Sequence, residues 1–183
     1  QTAGLIFGGE GPPGARNQTE EYNGSTWTEV NNMPATNKDH AGFGIQTAAV
    51  ACGGSPTTTS LNYDGTNWTA SPGSLNTGRT NSGGTGTQTA GLTFGGSPNI
   101  TATEEYGGST WTTGGALPAA KTNIFAAGTQ TAALGAGGGP PTSTNVYEYD
   151  GSSWTAGNAL PSGTIDARGG GTQTDALYAG GYL

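Results

Sequence analysis

One phrase returns five times along this chain at nearly constant spacing. Gln-Thr-Ala-Gly-Leu-Ile-Phe-Gly-Gly, starting at Gln1, reappears with small changes at Gln46, Gln88, Gln130 and Gln173, at intervals of 45, 42, 42 and 43 residues. A second phrase keeps the same phase and closes on Trp27, Trp68, Trp111 and Trp154. A chain with this self-similarity must fold as a series of equivalent units, each burying its apolar face against the next. The units are 1–45, 46–87, 88–129, 130–172 and a partial fifth, 173–183, within one repeat domain, 1–183. Their length is that of propeller blades and of some helical repeats. Abundant Gly, Thr and Pro without a sustained 3.6-residue apolar pattern excludes the helical ones. Gly and Pro make up about a quarter of the residues, but the aromatics recur in register. The glycines therefore mark tight turns in a folded repeat, not disorder.

Each unit reads as four short strands. The first precedes the Gln-Thr turn. The second ends in the double glycine, with strands expected near 3–8, 48–53, 90–95, 132–137 and 175–180. Along it Ala90, Leu92 and Phe94 share one face while Gly91 and Thr93 share the other, so its mostly small side suits close stacking of sheets. The third and fourth strands form a hairpin around Asn23-Gly24, Asp64-Gly65, Gly107-Gly108 or Asp150-Gly151. These dipeptides favour a two-residue turn. Such a turn places Tyr63 opposite Thr66 and Leu61 opposite Trp68, with Tyr63 and Trp68 diagonal on one face.

The double glycines, the spaced Tyr and Trp and the following Met33-Pro34, Leu117-Pro118 and Leu160-Pro161 together resemble the kelch family across essentially the whole chain. The second unit departs from the pattern with Ser74-Leu75, and the Tyr-to-Trp interval is shorter than is usual for kelch. The resemblance implies an all-β propeller of four-stranded antiparallel blades, four full repeats plus a partial fifth. The near-identical, charge-poor copies are also similar to kelch-like virion proteins of marine bacteriophages, which implies a virion or extracellular location.

The double-glycine strand occurs five times and the Tyr-to-Trp hairpin four times, so the chain is not expected to close a ring alone. Further repeats or another chain would complete it, and the isolated chain is expected to self-associate. A start at Gln1 without Met, in phase with the repeat, reads as a processed product or a segment of a longer chain.

A net charge of −7 with five scattered Lys and Arg argues against nucleic acid. No apolar run approaches the roughly 18 residues of a membrane-spanning helix, so no membrane insertion is expected. The single cysteine, Cys52, permits no internal disulfide and takes a packing position. The single histidine, His40, cannot supply the histidine pair of galactose-oxidase-type copper enzymes. Asp64 adjoins its glycine, unlike the Asp-box of sialidases, and Arg16, Arg79 and Arg168 hold no common repeat position. Glu20-Glu21 and Glu104-Glu105 are adjacent in strands and point to opposite faces, so neither pair chelates as a unit. No metal, no cofactor and no catalysis are expected. Asp39, Asn81, Asn123 and Asp166 each lie seven residues before a Gln. A position always Asp or Asn reads as a structural hydrogen-bonding site, with a ligand ring near the axis as its alternative.

The Gln-Thr turn and the hairpin are short and nearly invariant. The loops after Gly-Gly and after Trp-Thr, at the opposite end, vary between copies, and variable loops on a rigid scaffold are where binding resides. The expected function is a non-catalytic structural or adhesive module of a virus particle. Its partner would be a host glycan or a neighbouring virion protein, met through Arg16, Asn17, Asn31, Arg79, Asn99, Lys121 and Asp166. A sialidase-like glycan enzyme and an intracellular kelch scaffold are the rival readings.

Overall fold

The computed structural model describes residues 2–55 and 58–182. These residues are all-β, with no helix among them. Sheet I holds β1 (Gly4–Phe7), and after a small ribbon of β2 (Glu10–Gly11) and β3 (Gly14–Ala15) come β4 (Thr19–Tyr22) and β5 (Trp27–Glu29). Sheet II is β6 (His40–Ile45), β7 (Ala48–Gly53), β8 (Ser60–Tyr63) and β9 (Trp68–Ala70). Sheet III is β10 (Gly83–Thr87), β11 (Ala90–Phe94), β12 (Thr103–Tyr106) and β13 (Trp111–Thr113). Sheet IV is β14 (Phe125–Thr129), β15 (Ala132–Ala136), β16 (Val146–Tyr149) and β17 (Trp154–Ala156). Sheet V holds β18 (Arg168–Gly171) and β19 (Ala176–Ala179). Sheets II, III and IV are antiparallel meanders in sequence order. Sheet I runs β1-β4-β5, and β1 and β19 lie in separate sheets although they carry the same phrase.

The sheets stack through four apolar layers. Phe7, Leu5, Tyr63 and Trp68 meet between sheets I and II, and Phe43, Val50, Tyr106 and Trp111 between II and III. Phe94, Leu92, Tyr149 and Trp154 fill the next layer, and Phe125 and Tyr178 the last. The small face of the double-glycine strand is what admits the neighbouring ring: a Cβ at Gly91 would lie 2.2 Å from Phe43 Cε2. The first strands adjoin in series, β10 between β6 and β14, and β14 beside β18.

Polar contacts repeat with the same phase. The glutamine after each first strand reaches back to the preceding sheet and donates to two carbonyls there. Gln88 Nε2 bonds Ala49 O at 3.0 Å and Tyr63 O at 2.7 Å. Gln46, Gln130 and Gln173 make the equivalent pairs with sheets I, III and IV. The double glycine is a second joint. Gly53 and Gly54 both take positive φ, 72° and 82°, and Gly54 N donates to Arg79 O at 2.9 Å. A Cβ at Gly53 would lie 2.6 Å from that same oxygen, so both the conformation and the approach demand glycine.

The hairpins differ from the expected two-residue turns. Tyr63 pairs directly with Trp68, and Leu61 with Ala70, leaving a four-residue loop, Asp64–Asn67. Asp64 Oδ1 accepts the amides of Thr66 and Asn67 at 2.8 and 2.7 Å, and only Gly65 takes positive φ. A two-residue turn needs positive φ at both central positions. The carboxylate stabilises the wider loop instead, because it satisfies two amides that would otherwise point into the turn. Tyr and Trp still share a face, with ring centroids 5.0 Å apart in sheet II.

Candidate functional site

The two ends of the stack differ chemically. At one end each hairpin glycine lies against the Gln-Thr turn of its own sheet, as Gly65 does against Thr47. At the other end the loop after each last strand folds over the loop after each double glycine. Met33 N donates to Asn17 O, Leu75 N to Thr58 O, Leu117 N to Thr101 O and Leu160 N to Thr144 O, at 2.9, 3.1, 2.8 and 2.8 Å. Leu75 thus takes the same place as the Met and Leu of the other units without a proline behind it.

On this loop end a channel of about 790 Å³ opens between the first strands of the sheets. Its rim carries Glu10, Asp39, Asn81, Asn123, Asp166 and Arg168. The four repeated positions are linked by their backbones: Asn81 N donates to Asp39 O at 2.7 Å, Asn123 N to Asn81 O at 2.8 Å and Asp166 N to Asn123 O at 3.4 Å. All four take left-handed conformations, with φ of 59°, 54°, 56° and 59°. Asp and Asn are the non-glycine residues that tolerate that region best. This explains why the position admits only those two residues. Their side chains then stand at the channel mouth, where Asn123 Nδ2 donates to Asp166 Oδ1 at 2.5 Å.

The seven residues proposed from sequence fall into different surroundings. Asp166 is the one on the channel rim. Asn99 is exposed at the loop after the double glycine of sheet III, with φ of 52°. Arg16 folds back on its own loop, its guanidinium donating to Pro12 O, while Asn17 Nδ2 donates to Met33 O at 3.2 Å. Asn31 is exposed at a seam between sheets, bonding Asn67 Oδ1 at 3.0 Å.

Arg79 and Lys121 share one buried repeat position with Asn37 and Thr164. The carbonyl of each accepts the second glycine's amide of the preceding sheet. Arg79 is fully enclosed. Its guanidinium bonds Glu104 Oε1 at 2.6 Å, Gly95 O at 3.1 Å and Ala102 O at 2.8 Å, so it joins structure and presents nothing to a ligand. Lys121 is buried enough that desolvation lowers its pKa.

Adjacent acidic residues part as strand geometry requires. Glu104 faces Arg79 and also accepts the amides of Asn76 and Thr77 at 2.7 and 3.0 Å, whereas Glu105 accepts Tyr149 Oη at 2.6 Å. Glu21 accepts Tyr63 Oη likewise at 2.8 Å. Burial and that carboxylate push both phenols up to about 12, so they remain protonated donors between sheets. Cys52 is enclosed between sheets II and III, and burial pushes its thiol up to about 12. His40 stacks on Phe7 at 5.3 Å, and burial lowers its pKa. Among the described residues no group of three or more His, Cys, Asp or Glu converges as a metal site. What the rim offers is amides, carboxylates and one guanidinium, donors and acceptors suited to a hydroxyl-rich or peptide ligand.

Compared with known proteins, the sequence matches no family model and no curated protein.

Proposed function

We propose that this chain is a kelch-like β-propeller module with a non-catalytic role, a structural or adhesive part of a virus particle. It binds a host glycan or a neighbouring virion protein through the loop end of the stack. The observation that carries this reading is the asymmetry of the two ends. The hairpin end repeats the same short contacts in every unit. The loop end joins segments that differ between units to a polar channel mouth at Glu10, Asp39, Asn81, Asn123, Asp166 and Arg168. A rigid stack with variable loops at one end suits recognition more than chemistry.

A glycan array probed with the purified chain tests the proposal, with Asn99→Ala, Asp166→Ala and Arg168→Ala variants in parallel. Saturable binding that falls at least about tenfold (about 1.4 kcal/mol) in one of these variants supports it. Binding that survives all three but is lost on changing the hairpin loops would place recognition at the other end. Turnover of a glycoside would replace the binding module with an enzyme.

A further inference from the structure

Asn23 is the one asparagine of the chain that a glycine follows. The pair heads the hairpin loop between Tyr22 and Trp27, which pair directly. Gly24 takes a φ of 97°, and both residues are exposed. The Gly24 N–H makes no hydrogen bond among the described residues. Asp64 and Asp150 hold the same place in sheets II and IV and are exposed too, so the position is open in every unit that carries a side chain there. The side-chain amide of Asn23 is held at both of its atoms. Oδ1 accepts the amides of Ser25 and Thr26, each at 3.0 Å, and the Ser25 hydroxyl at 2.9 Å. Nδ2 donates to Thr26 Oγ1 at 3.0 Å.

Three donors on Oδ1 draw electron density from the Asn23 Cγ carbonyl and favour the charge that collects on that oxygen when a nucleophile adds. The nearest nucleophile is the next backbone nitrogen, whose attack closes a five-membered ring. Glycine places no Cβ in its way. At Asn76 the corresponding nitrogen is engaged instead, Thr77 N donating to Glu104 Oε1 at 3.0 Å. We infer that Asn23 is a self-modification site, converted to aspartate within its own hairpin. Gly24 N bonds to Asn23 Cγ and gives up its proton, the Cγ–Nδ2 bond breaks, and ammonia leaves. Water then adds to the cyclic imide at Cγ, the Gly24 N–Cγ bond breaks, and the nitrogen regains a proton. One water is consumed, one ammonia is released, and the new carboxyl group passes its proton to the ammonia. The repeat shows that this product fits. Asp150 Oδ1 accepts the Ser152 amide, the Ser152 hydroxyl and the Ser153 amide at 2.8, 2.9 and 2.8 Å, the same set of donors that Asn23 has. The amides of Asn67 and Thr66 hold the Asp64 carboxyl below its ordinary range, so a carboxylate at this place stays charged at neutral pH. Addition of water at the other imide carbonyl leaves an isoaspartate instead. That product lengthens the main chain inside a loop closed by the Tyr22–Trp27 pair.

The whole chain, incubated at mildly alkaline pH, is followed by ion exchange and by peptide mapping with electron-transfer fragmentation, which separates aspartate from isoaspartate. The expected result is one more acidic species, changed at Asn23 before any other asparagine, with aspartate as the main product. Asn23→Asp should co-elute with that species and melt no lower than the parent chain. Ser25→Ala keeps the backbone amide, removes the hydroxyl donor from Oδ1 and should fold normally. It should slow the conversion by at least about twofold, an exposed donor acting more weakly than an enclosed one. In urea, where the hairpin is gone, the two chains should convert alike. Faster conversion at another asparagine, isoaspartate as the main product, or a folded-state rate indifferent to Ser25→Ala overturns the proposal. A slowing by Ser25→Ala that persists in urea overturns it as well, because the hairpin would then play no part.

Discussion

Trp68 donates its indole N–H to Thr19 Oγ1 at 2.9 Å, tying sheet II to sheet I across 49 positions of sequence. Trp111 reaches Ser60 and Trp154 reaches Thr103 at the same distance. Trp27, in sheet I, is 48% exposed. Each buried indole thus marks one sheet-to-sheet joint.

Replacing Thr19 by Val keeps the shape and removes the acceptor. The buried Trp68 donor is then left unpaired, which costs about 1–3 kcal/mol. Denaturant unfolding should show this loss for Thr19→Val. Trp27→Phe, at an exposed indole, should change stability by less than about 0.5 kcal/mol.

Arg79 and Glu104 form an ion pair with both side chains enclosed, 0% and 1% exposed. Removing one partner strands a buried charge, so Arg79→Met is expected to cost about 3–5 kcal/mol. Glu104→Gln should cost comparably, since Glu104 also holds the amides of Asn76 and Thr77. A double-mutant cycle should return a coupling energy above about 1 kcal/mol. Independent, additive losses would mean the pair is not a unit.

The repeated glutamine works only as a donor. Gln88→Ala removes bonds to Ala49 O and Tyr63 O and should cost about 1–2 kcal/mol. Gln88→Glu should be worse at neutral pH, because a carboxylate would then face two carbonyl oxygens. Part of that loss should return as the introduced acid is protonated, which a series of melts from pH ~7 to ~4 would reveal.

Asp150 accepts the amides of Ser153 and Ser152, which pull its pKa down to about 2. The folded value lies below the unfolded one of about 3.9. The contribution is therefore complete above pH ~4 and is lost as pH falls toward ~2. Asp150→Asn keeps the acceptor, as Asn23 does in its own hairpin, and should flatten this part of the stability profile. Asp150→Ala should destabilise the hairpin at neutral pH as well. Melting temperature followed from pH ~5 to ~2 checks both.

Much of the architecture is legible in the chain because it rests on local chemistry. The repeat period sets the units, alternation sets the faces of β7, β11 and β15, and paired glycines set the bends. Asp or Asn at Asp39, Asn81, Asn123 and Asp166 announces a special backbone position, and all four prove left-handed. The shared face of Tyr63 and Trp68 follows from antiparallel pairing, although their direct register does not. That register depends on Asp64 capping two amides, a side-chain choice that the Asp-Gly dipeptide leaves open.

What only the tertiary structure decides is which polar groups meet across sheets. Arg79 and Lys121 look like surface cations in a variable loop, yet both are buried where that loop inserts between sheets. The glutamine of the Gln-Thr turn looks like a turn residue, and it is a clamp on the preceding sheet. The partners of Trp68, Glu104 and Tyr149 lie 49, 25 and 44 residues away. Local propensity acts over a few residues, whereas these bonds depend on how one twisted sheet seats against the next.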